Sequence, residues 1–286
     1  MVQPKLSPAC LGWKRDLPGP NDRPDAIPSL RENAPNHVDD VYMELSRRSS
    51  RIRGVLLLLI PFMLYATIIG VPGVIWSLLV DHPRAFTTSD WSTLWIAVFV
   101  LAIGVWMTAF LYLADVSPPR DLPIRFNRAR RRIYVYGFHM VWWNPFTRWY
   151  VTTASYPWDD VRAEVWEQWG VSSGGGLMIK WGVSLAIVKP GTNDVIERFH
   201  LSTYNHDLDN LWAYVCTYMQ QGPQALPPCD IEPRDANDVP AYNLALRWAP
   251  QVEWPEEMDW ESRSSEGSRG LECRGEGGDE INHDCA

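Results

Sequence analysis

Residues 54–80 read GVLLLLIPFMLYATIIGVPGVIWSLLV, with no charged side chain from end to end. A helix needs roughly 20 apolar residues to cross a hydrocarbon core, so this run is long enough to span a bilayer. Pro61 and Pro72 lie inside it, and spanning helices tolerate such residues better than soluble ones do. A long polar segment precedes the run, which reads as an anchor and not as a cleaved leader. A second uncharged run follows at 91–114, WSTLWIAVFVLAIGVWMTAFLYLA. Trp91 and Trp95 stand at its start and Tyr112 near its end, where interfacial aromatic belts belong. The connector Asp81–Asp90 is short, so the two runs are expected to form an antiparallel hairpin. Neither run carries the ionisable groups of a transport pathway, which favours anchoring. Ala66, Gly70 and Gly73 are small residues that would let the helices, or two copies of the chain, approach closely; a homo-oligomer is therefore allowed.

Charge around the runs sets the orientation. Arg47, Arg48, Arg51 and Arg53 precede the first, and Arg120, Arg125, Arg128, Arg130, Arg131 and Arg132 follow the second. The connector has Arg84 alone among the arginines. The positive-inside bias then puts both termini of this multi-pass chain in the cytoplasm and the connector outside.

Working outward, residues 1–37 are rich in Pro, Asn, Asp and Arg and read as a disordered arm. Val38, Val41, Tyr42 and Leu45 have helical spacing, so 38–53 is expected to be a juxtamembrane amphipathic helix. The spans are set at 54–80 and 91–115, with 81–90 as the external loop. After Pro118-Pro119 the pattern alternates. Ile124–Asn127 and Arg132–Phe138 flank an Arg-rich turn, and Tyr150–Ser155, Val161–Gln168, Leu177–Trp181, Val183–Lys189 and Val195–Leu201 read as further strands. Leu208, Leu211, Trp212, Val215, Cys216 and Met219 form one apolar stripe of a closing helix, capped by Asn205 and stopped at Gly222-Pro223. The fold class that follows is a membrane α-hairpin plus an α+β soluble domain over 120–222. That domain is an antiparallel β-sheet or small pleckstrin-like barrel closed by one C-terminal helix. Residues 223–254 read as a linker with a short helix at Ala241–Trp248 carrying Leu244 and Trp248 back to the domain, and 255–286 as an acidic disordered tail.

Composition narrows the chemistry. A net charge of −8 gives no reason to expect nucleic-acid binding. The five cysteines, Cys10, Cys216, Cys229, Cys273 and Cys285, are scattered and odd in number, which suits a reducing compartment and neither a disulfide framework nor a zinc site. No cofactor or metal is expected. Gly170-Val171-Ser172-Ser173-Gly174 matches the G-x-S-x-G pattern, with Asp194 and His200 following in hydrolase order. The nucleophile elbow needs a strand-to-helix turn, whereas the next apolar stretch reads as strand, so a plain loop is the preferred reading. His200 and His206 near Asp207 and Asp209 lack metal-ligand spacing and read as polar surface. The Arg128–Arg132 run can hold the loop on the inner side and contact anionic headgroups or an acidic partner. Sixteen tryptophans are many for this length. Trp142, Trp143, Trp149, Trp158, Trp166, Trp169 and Trp181 can pack the core, rest on the membrane surface or form a hot-spot patch for a protein partner; core packing is the preferred reading, but Trp166 alternates with the inward set Val161, Ala163 and Val165 and should be exposed. The candidate contact residues for lipid or partner are thus Arg125, Arg128, Arg130, Arg131, Arg132 and Trp166.

From about Leu122 to Leu226 the chain resembles an uncharacterised family of two-span proteobacterial inner-membrane proteins. The resemblance is carried by Ile124-Arg125-Phe126-Asn127 with Arg131-Arg132-Ile133-Tyr134, by Pro157-Trp158-Asp159-Asp160-Val161 and by Leu211-Trp212-Ala213-Tyr214. Relatives found near type VI secretion genes imply an immunity or accessory role. Together these readings lead to a non-enzymatic inner-membrane protein whose cytosolic domain binds a protein partner. The alternatives are a sensor or scaffold binding anionic lipid through the Arg-rich hairpin and, less favoured, a membrane-bound serine hydrolase using Ser172.

Overall fold

The computed structural model describes residues 3–30, 34–47, 53–81, 87–171, 177–202, 208–228, 231 and 233–265. Among the described residues nine strands and five helices follow one another along the chain. The strands are β1 (Trp13–Asp16), β2 (His37–Val38), β3 (Tyr42–Leu45), β4 (Ile124–Asn127), β5 (Arg132–His139), β6 (Tyr150–Pro157), β7 (Val161–Val171), β8 (Leu177–Val188) and β9 (Val195–Ser202). The helices are α1 (Leu56–Val80), α2 (Thr88–Val116), α3 (Leu208–Gln221), α4 (Leu244–Trp248) and α5 (Glu256–Arg263).

The two uncharged runs form α1 and α2, each long and apolar enough to cross a membrane, with 11 % of the most apolar stretch of each covered by the protein itself. Helix α1 opens as a 3-10 turn at Leu56–Leu59 and widens to a π turn at Ala66–Gly70. Pro72 explains the second irregularity: it has no N–H to donate and its ring crowds the carbonyl four residues back, and the wider turn ahead of it relieves that crowding. Helix α2 starts on a capping box, in which Thr87 Oγ1 accepts from the Asp90 backbone N–H and the Asp90 carboxylate accepts from that of Thr87. The helices meet where a Cβ on Gly104 would lie 2.1 Å from Thr67 Cγ2, so only glycine permits that approach. Gly70 and Gly73 of α1 do not serve this contact: a Cβ on Gly73 would meet nothing within 4 Å, and one on Gly70 only the Tyr65 carbonyl of its own helix at 3.9 Å.

All strand pairing is antiparallel. One sheet has the order β2-β3-β4-β5-β6 and the other β1-β7-β8-β9. They are separate sheets and do not close into the barrel that was one of the two expected forms. Pro157 and the 3-10 turn Trp158–Asp160 carry the chain from β6 in one sheet to β7 in the other. Alternation then builds one core: Met43, Leu45, Ile124, Phe126, Ile133 and Val135 face Val161, Ala163, Val165, Val183, Leu185 and Ile187, and α3 closes it with Leu211, Trp212, Val215 and Met219. Trp158 is fully buried between Phe126 and Trp212, at ring distances of 6.2 and 5.5 Å. The two strands read separately at Leu177–Trp181 and Val183–Lys189 are one strand, β8, running on through Gly182 opposite Trp166.

Both chain ends depart from expectation. The arm read as disordered adds β1 to the edge of β7 and sets Leu6 against Ala186 and Val188 on the outer face of that sheet. It then follows α3, where Trp212 Nε1 donates to Pro18 O and Gln220 Nε2 to Pro20 O and Asp22 O, with Leu17 and Leu30 in the core. The expected amphipathic helix at 38–53 is instead strands β2 and β3 over its described part, because Met43 and Leu45 are needed on the inner face and Tyr42 and Glu44 on the outer. At the other end, the first part of the expected disordered tail forms α5, which lies on the outer face of β4 and β5. Residues 266–286 lie outside the described residues. The short helix forms at α4, but Ala245 and Leu246 are its buried residues while Leu244 and Trp248 are exposed.

Candidate functional site

The outer face of the five-stranded sheet is polar by alternation: Ile124 and Phe126 point inward, so Arg125 and Asn127 point outward. Arg125 is nevertheless buried. Its Nε donates to Glu44 Oε2 at 2.6 Å and its Nη1 to Asp259 Oδ1 and Ser262 Oγ, both at 2.7 Å, while the guanidinium lies 4.4 Å from the Trp254 ring centroid. Asn127 Nδ2 donates to the carbonyls of Ser262 and Ser264, and Tyr134 OH to Glu261 Oε1. This arginine clamp holds α5, and three more of the candidate contact residues are committed within the fold. Arg130 bonds Ser264 and stacks over Trp260, Arg131 pairs with Asp159 at 2.7 Å, and Arg132 bonds Ser155 Oγ. Arg128, half-buried, rests against Gly222. The turn that carries them sits at the start of β5, about 23 Å along the strand from His139 at ~3.3 Å per residue, and it is the far end that lies next to α2.

Trp166 is buried too, which corrects the expectation of exposure. Its indole folds across the strand over Gly182, where a Cβ would come within 2.6 Å of Trp166 Cζ2, and it lies 4.9 Å from the His200 ring. Alternation placed it on the correct face; what the alternation cannot show is that this face is covered. On that same face Glu164 is fully buried and pairs with Arg198 at 2.9 Å, and Arg198 also donates to Pro8 O of the arm. Burial pushes the Glu164 carboxyl above its ordinary value, with Arg198 pulling the other way. Cys10, buried beside it, and Cys216, in the core, are both pushed up by burial, which keeps them as thiols. Of the other tryptophans read as core, Trp158 is buried, whereas Trp142, Trp143, Trp169 and Trp181 are exposed.

The hydrolase constellation is not assembled by the described residues. Asp194 precedes β9 and His200 lies near its end, about 20 Å away at ~3.3 Å per residue, too far to orient the imidazole. Loss of hydration and Arg47 hold His200 below the usual histidine value. Ser172 lies outside the described residues, as do His206 and Asp207; Asp209 pairs with Arg15. Among the described residues no three His, Cys, Asp or Glu lie together to hold a metal ion.

A second polar assembly, which the sequence reading missed, joins the helices to the body. Arg53 Nη1 donates to Pro119 O, and Arg53 Nη2 donates to Asp115 O and Pro118 O, satisfying carbonyls at the end of α2. In return Asp115 Oδ2 accepts the backbone N–H of Leu57 at the start of α1. Each helix end is thus capped by a charge of the sign its dipole favours, supplied from beside the other helix. Arg47 continues the junction. Its Nε donates to Leu122 O, Nη1 to His200 O and Nη2 to Tyr136 O, and loss of water brings its pKa down to about 10. Arg120 Nε and Nη1 reach Leu246 O and Asn237 O. The arginines read as topogenic therefore also weld the two sheets to the base of the helices.

Trp149 completes the junction. It meets Phe110 of α2 edge-on at 6.2 Å, Phe110 stacks on Trp106 at 5.6 Å, and Phe138 of β5 packs on the other side of Trp149 at 6.3 Å. No curated protein and no solved structure matches the chain. Residues 101–244, from the middle of α2 through β4 to β9 and α3 to the start of α4, match a family described as "Family of unknown function (DUF6708)". That match takes in half of the chain, and the protein belongs to this family.

Proposed function

We propose that the protein is a two-span membrane protein that holds a non-enzymatic β-rich platform on the cytosolic side of a bacterial inner membrane, where it docks a protein partner. The observation that carries the reading is the lack of cover on α1 and α2: helices of 25 and 29 residues leave most of their apolar surface free of protein contact. That much contiguous apolar surface is stable in lipid and unfavourable in water. The arginines at the helix base, on the side of the body, support the inner orientation. Glu44, Asp159, Glu164 and Asp209 are engaged in ion pairs, and burial keeps Cys10 and Cys216 as thiols, which suits a platform better than acid–base or thiolate chemistry. For the partner surface, β7 and β8 outrun the core. Their inward-facing row runs on to the cross-strand pair Trp169 and Ile179 with Trp181 beside it, all exposed, and exposed indoles of this kind are common anchors at protein interfaces. The resemblance noted from the sequence makes a secretion effector the first partner to test.

A lipid sensor built on the Arg-rich hairpin is less well supported, since Arg125, Arg130 and Arg132 are spent on α5 and β6. The test has two stages. Membranes carrying the protein are washed with alkaline carbonate; release into the supernatant overturns the anchor. The detergent-solubilised protein is then used for co-purification with and without Trp169→Ala. A partner that is retained equally by the variant removes the proposed surface, and the absence of any stable partner removes the docking role.

A further inference from the structure

The connection between β5 and β6 is out of keeping with a surface loop in water. Trp142, Trp143 and Phe146 expose 69, 62 and 68 % of their surface, and Met140 is exposed beside them. Nothing in the body requires them there, yet the loop is not left to chance. Asn144 organises it: its carbonyl accepts from the Thr147 N–H and hydroxyl and from Trp149 Nε1, its side-chain oxygen accepts from Phe146 N, and its own N–H donates to Val141 O. The backbone groups around the aromatic tip are thus partly satisfied from within, which lowers the cost of leaving water.

Depth along α2 says what the tip meets. From Trp91 to Phe110 the helix rises about 28 Å at ~1.5 Å per residue, close to the roughly 30 Å of a hydrocarbon core. Phe110 is the residue that Trp149 touches, and immediately beyond it Leu111, Asp115 and Val116 are buried by the protein. The loop therefore leaves the body at the level where α2 passes from lipid to protein. Also at the helix base, α4 packs close to Gly54, with Ala245 Cβ 3.4 Å from where a Cβ on Gly54 would lie, and its Leu244, Arg247 and Trp248 are exposed. Indole rings and arginine side by side are the composition of a bilayer interface.

We infer that the Trp142–Phe146 tip inserts into the interfacial layer of the same bilayer that holds α1 and α2, with Leu244 and Trp248 as a second contact, so that the body lies against the membrane and does not hang from two helices. The inference rests on the two-span reading. Its occupant is lipid because the patch is continuous, through Trp149 and Phe110, with the helix surface assigned to lipid.

The test uses the full chain in nanodiscs and its Trp142→Phe/Trp143→Phe variant, which keeps the loop apolar and removes only its reporters. The difference in fluorescence between the two is the emission of the tip. That emission is expected to be quenched at least twofold by lipids brominated near the headgroup, less by lipids brominated deep in the chain, and little by aqueous acrylamide. The emission remaining in the variant includes Trp76, Trp95 and Trp106 of the helices. If acrylamide quenches the tip while brominated lipid still quenches the helices, the insertion is wrong and the two-span reading stands. If brominated lipid quenches neither, the span reading has failed first. A tip shielded from both quenchers is covered by another copy of the chain, and that outcome also overturns the insertion.

Discussion

The five-stranded sheet turns Glu44, Arg125, Asn127 and Tyr134 outward and is covered by α5, a charged helix at the C-terminal end. The four-stranded sheet turns Glu164, Ser184, Ala186 and Val188 outward and is covered by the N-terminal arm, whose foothold is Leu6 with Arg198 bridging to Pro8. The first cover is held by a fork of hydrogen bonds converging on one buried guanidinium, the second by the small apolar contact of Leu6, the Arg198 hydrogen bond to Pro8 O and backbone hydrogen bonds of Ser7 with Asn193 and Val195. A cover of charges needs every partner present, because each missing one leaves a buried group unpaired. A cover of methyl groups loses stability in proportion to the surface removed.

The largest effect is expected at the centre of the first cover. Arg125→Met leaves Glu44 buried without its ion partner and is expected to cost about 3–5 kcal/mol; Arg125→Lys, which keeps the charge and loses the fork, should cost about 1–3 kcal/mol. Denaturant titration of the detergent-purified protein measures both, and limited proteolysis should show cleavage around α5 while the N-terminal arm stays protected. Equal exposure of both ends would mean that the covers are one cooperative unit.

Arg198→Met comes next, at about 2–4 kcal/mol near neutral pH. Its signature is pH dependence. Glu164 has a folded-state pKa above its unfolded value, so the folded state holds the extra proton. The contribution of this group to stability is therefore fully present below the unfolded value and is lost as pH rises through the folded one. Without Arg198 to draw the pKa down, the penalty of the substitution should shrink on acidification through the carboxylate range. A difference between wild type and variant that stays constant across that range would sink the assignment.

Leu6→Ala should cost about 2 kcal/mol, with no change across the carboxylate range, and should open the N-terminal arm alone to protease. The smallest change is expected at Arg131, half-exposed and paired with the more exposed Asp159. Arg131→Ala should move stability by no more than about 0.5 kcal/mol, and a larger loss would show that the Arg-rich turn does more than decorate the sheet end.

This contrast also explains what could be read from residues alone. Helices α1 and α2 are legible because composition suffices over so long a run, and β4, β5 and β9 because their alternation is regular. The covers are not legible. Leu6, Leu17 and Leu30 are spread too thinly for any period, and α5 has only Met258 and Trp260 among charged neighbours; its order comes from Arg125, more than a hundred residues away. Trp166 reads as exposed and is buried for the same reason, since alternation reports a side of a sheet and says nothing of what lies on it. At the candidate site the arginines are legible in the sequence, but their partners within the fold are not, and so the run reads as a contact for anionic headgroups or an acidic partner. A cue was nonetheless present in Trp142-Trp143-Asn144-Pro145-Phe146, where five residues contain three large rings and two strong turn formers.

Arg53 and Asp115 give the helical hairpin a common origin. With Leu57 tied to Asp115 at one end and Thr67 seated on Gly104 further along, the two helices behave as rulers pinned at zero, and their divisions agree at the next mark. Adding a single residue between Leu57 and Thr67 would turn the remainder of α1 by about 100° and swing the threonine away from its glycine. The pairing therefore tolerates exchange of one aliphatic side chain for another far better than any change in spacing, and length is the property of this segment most tightly constrained.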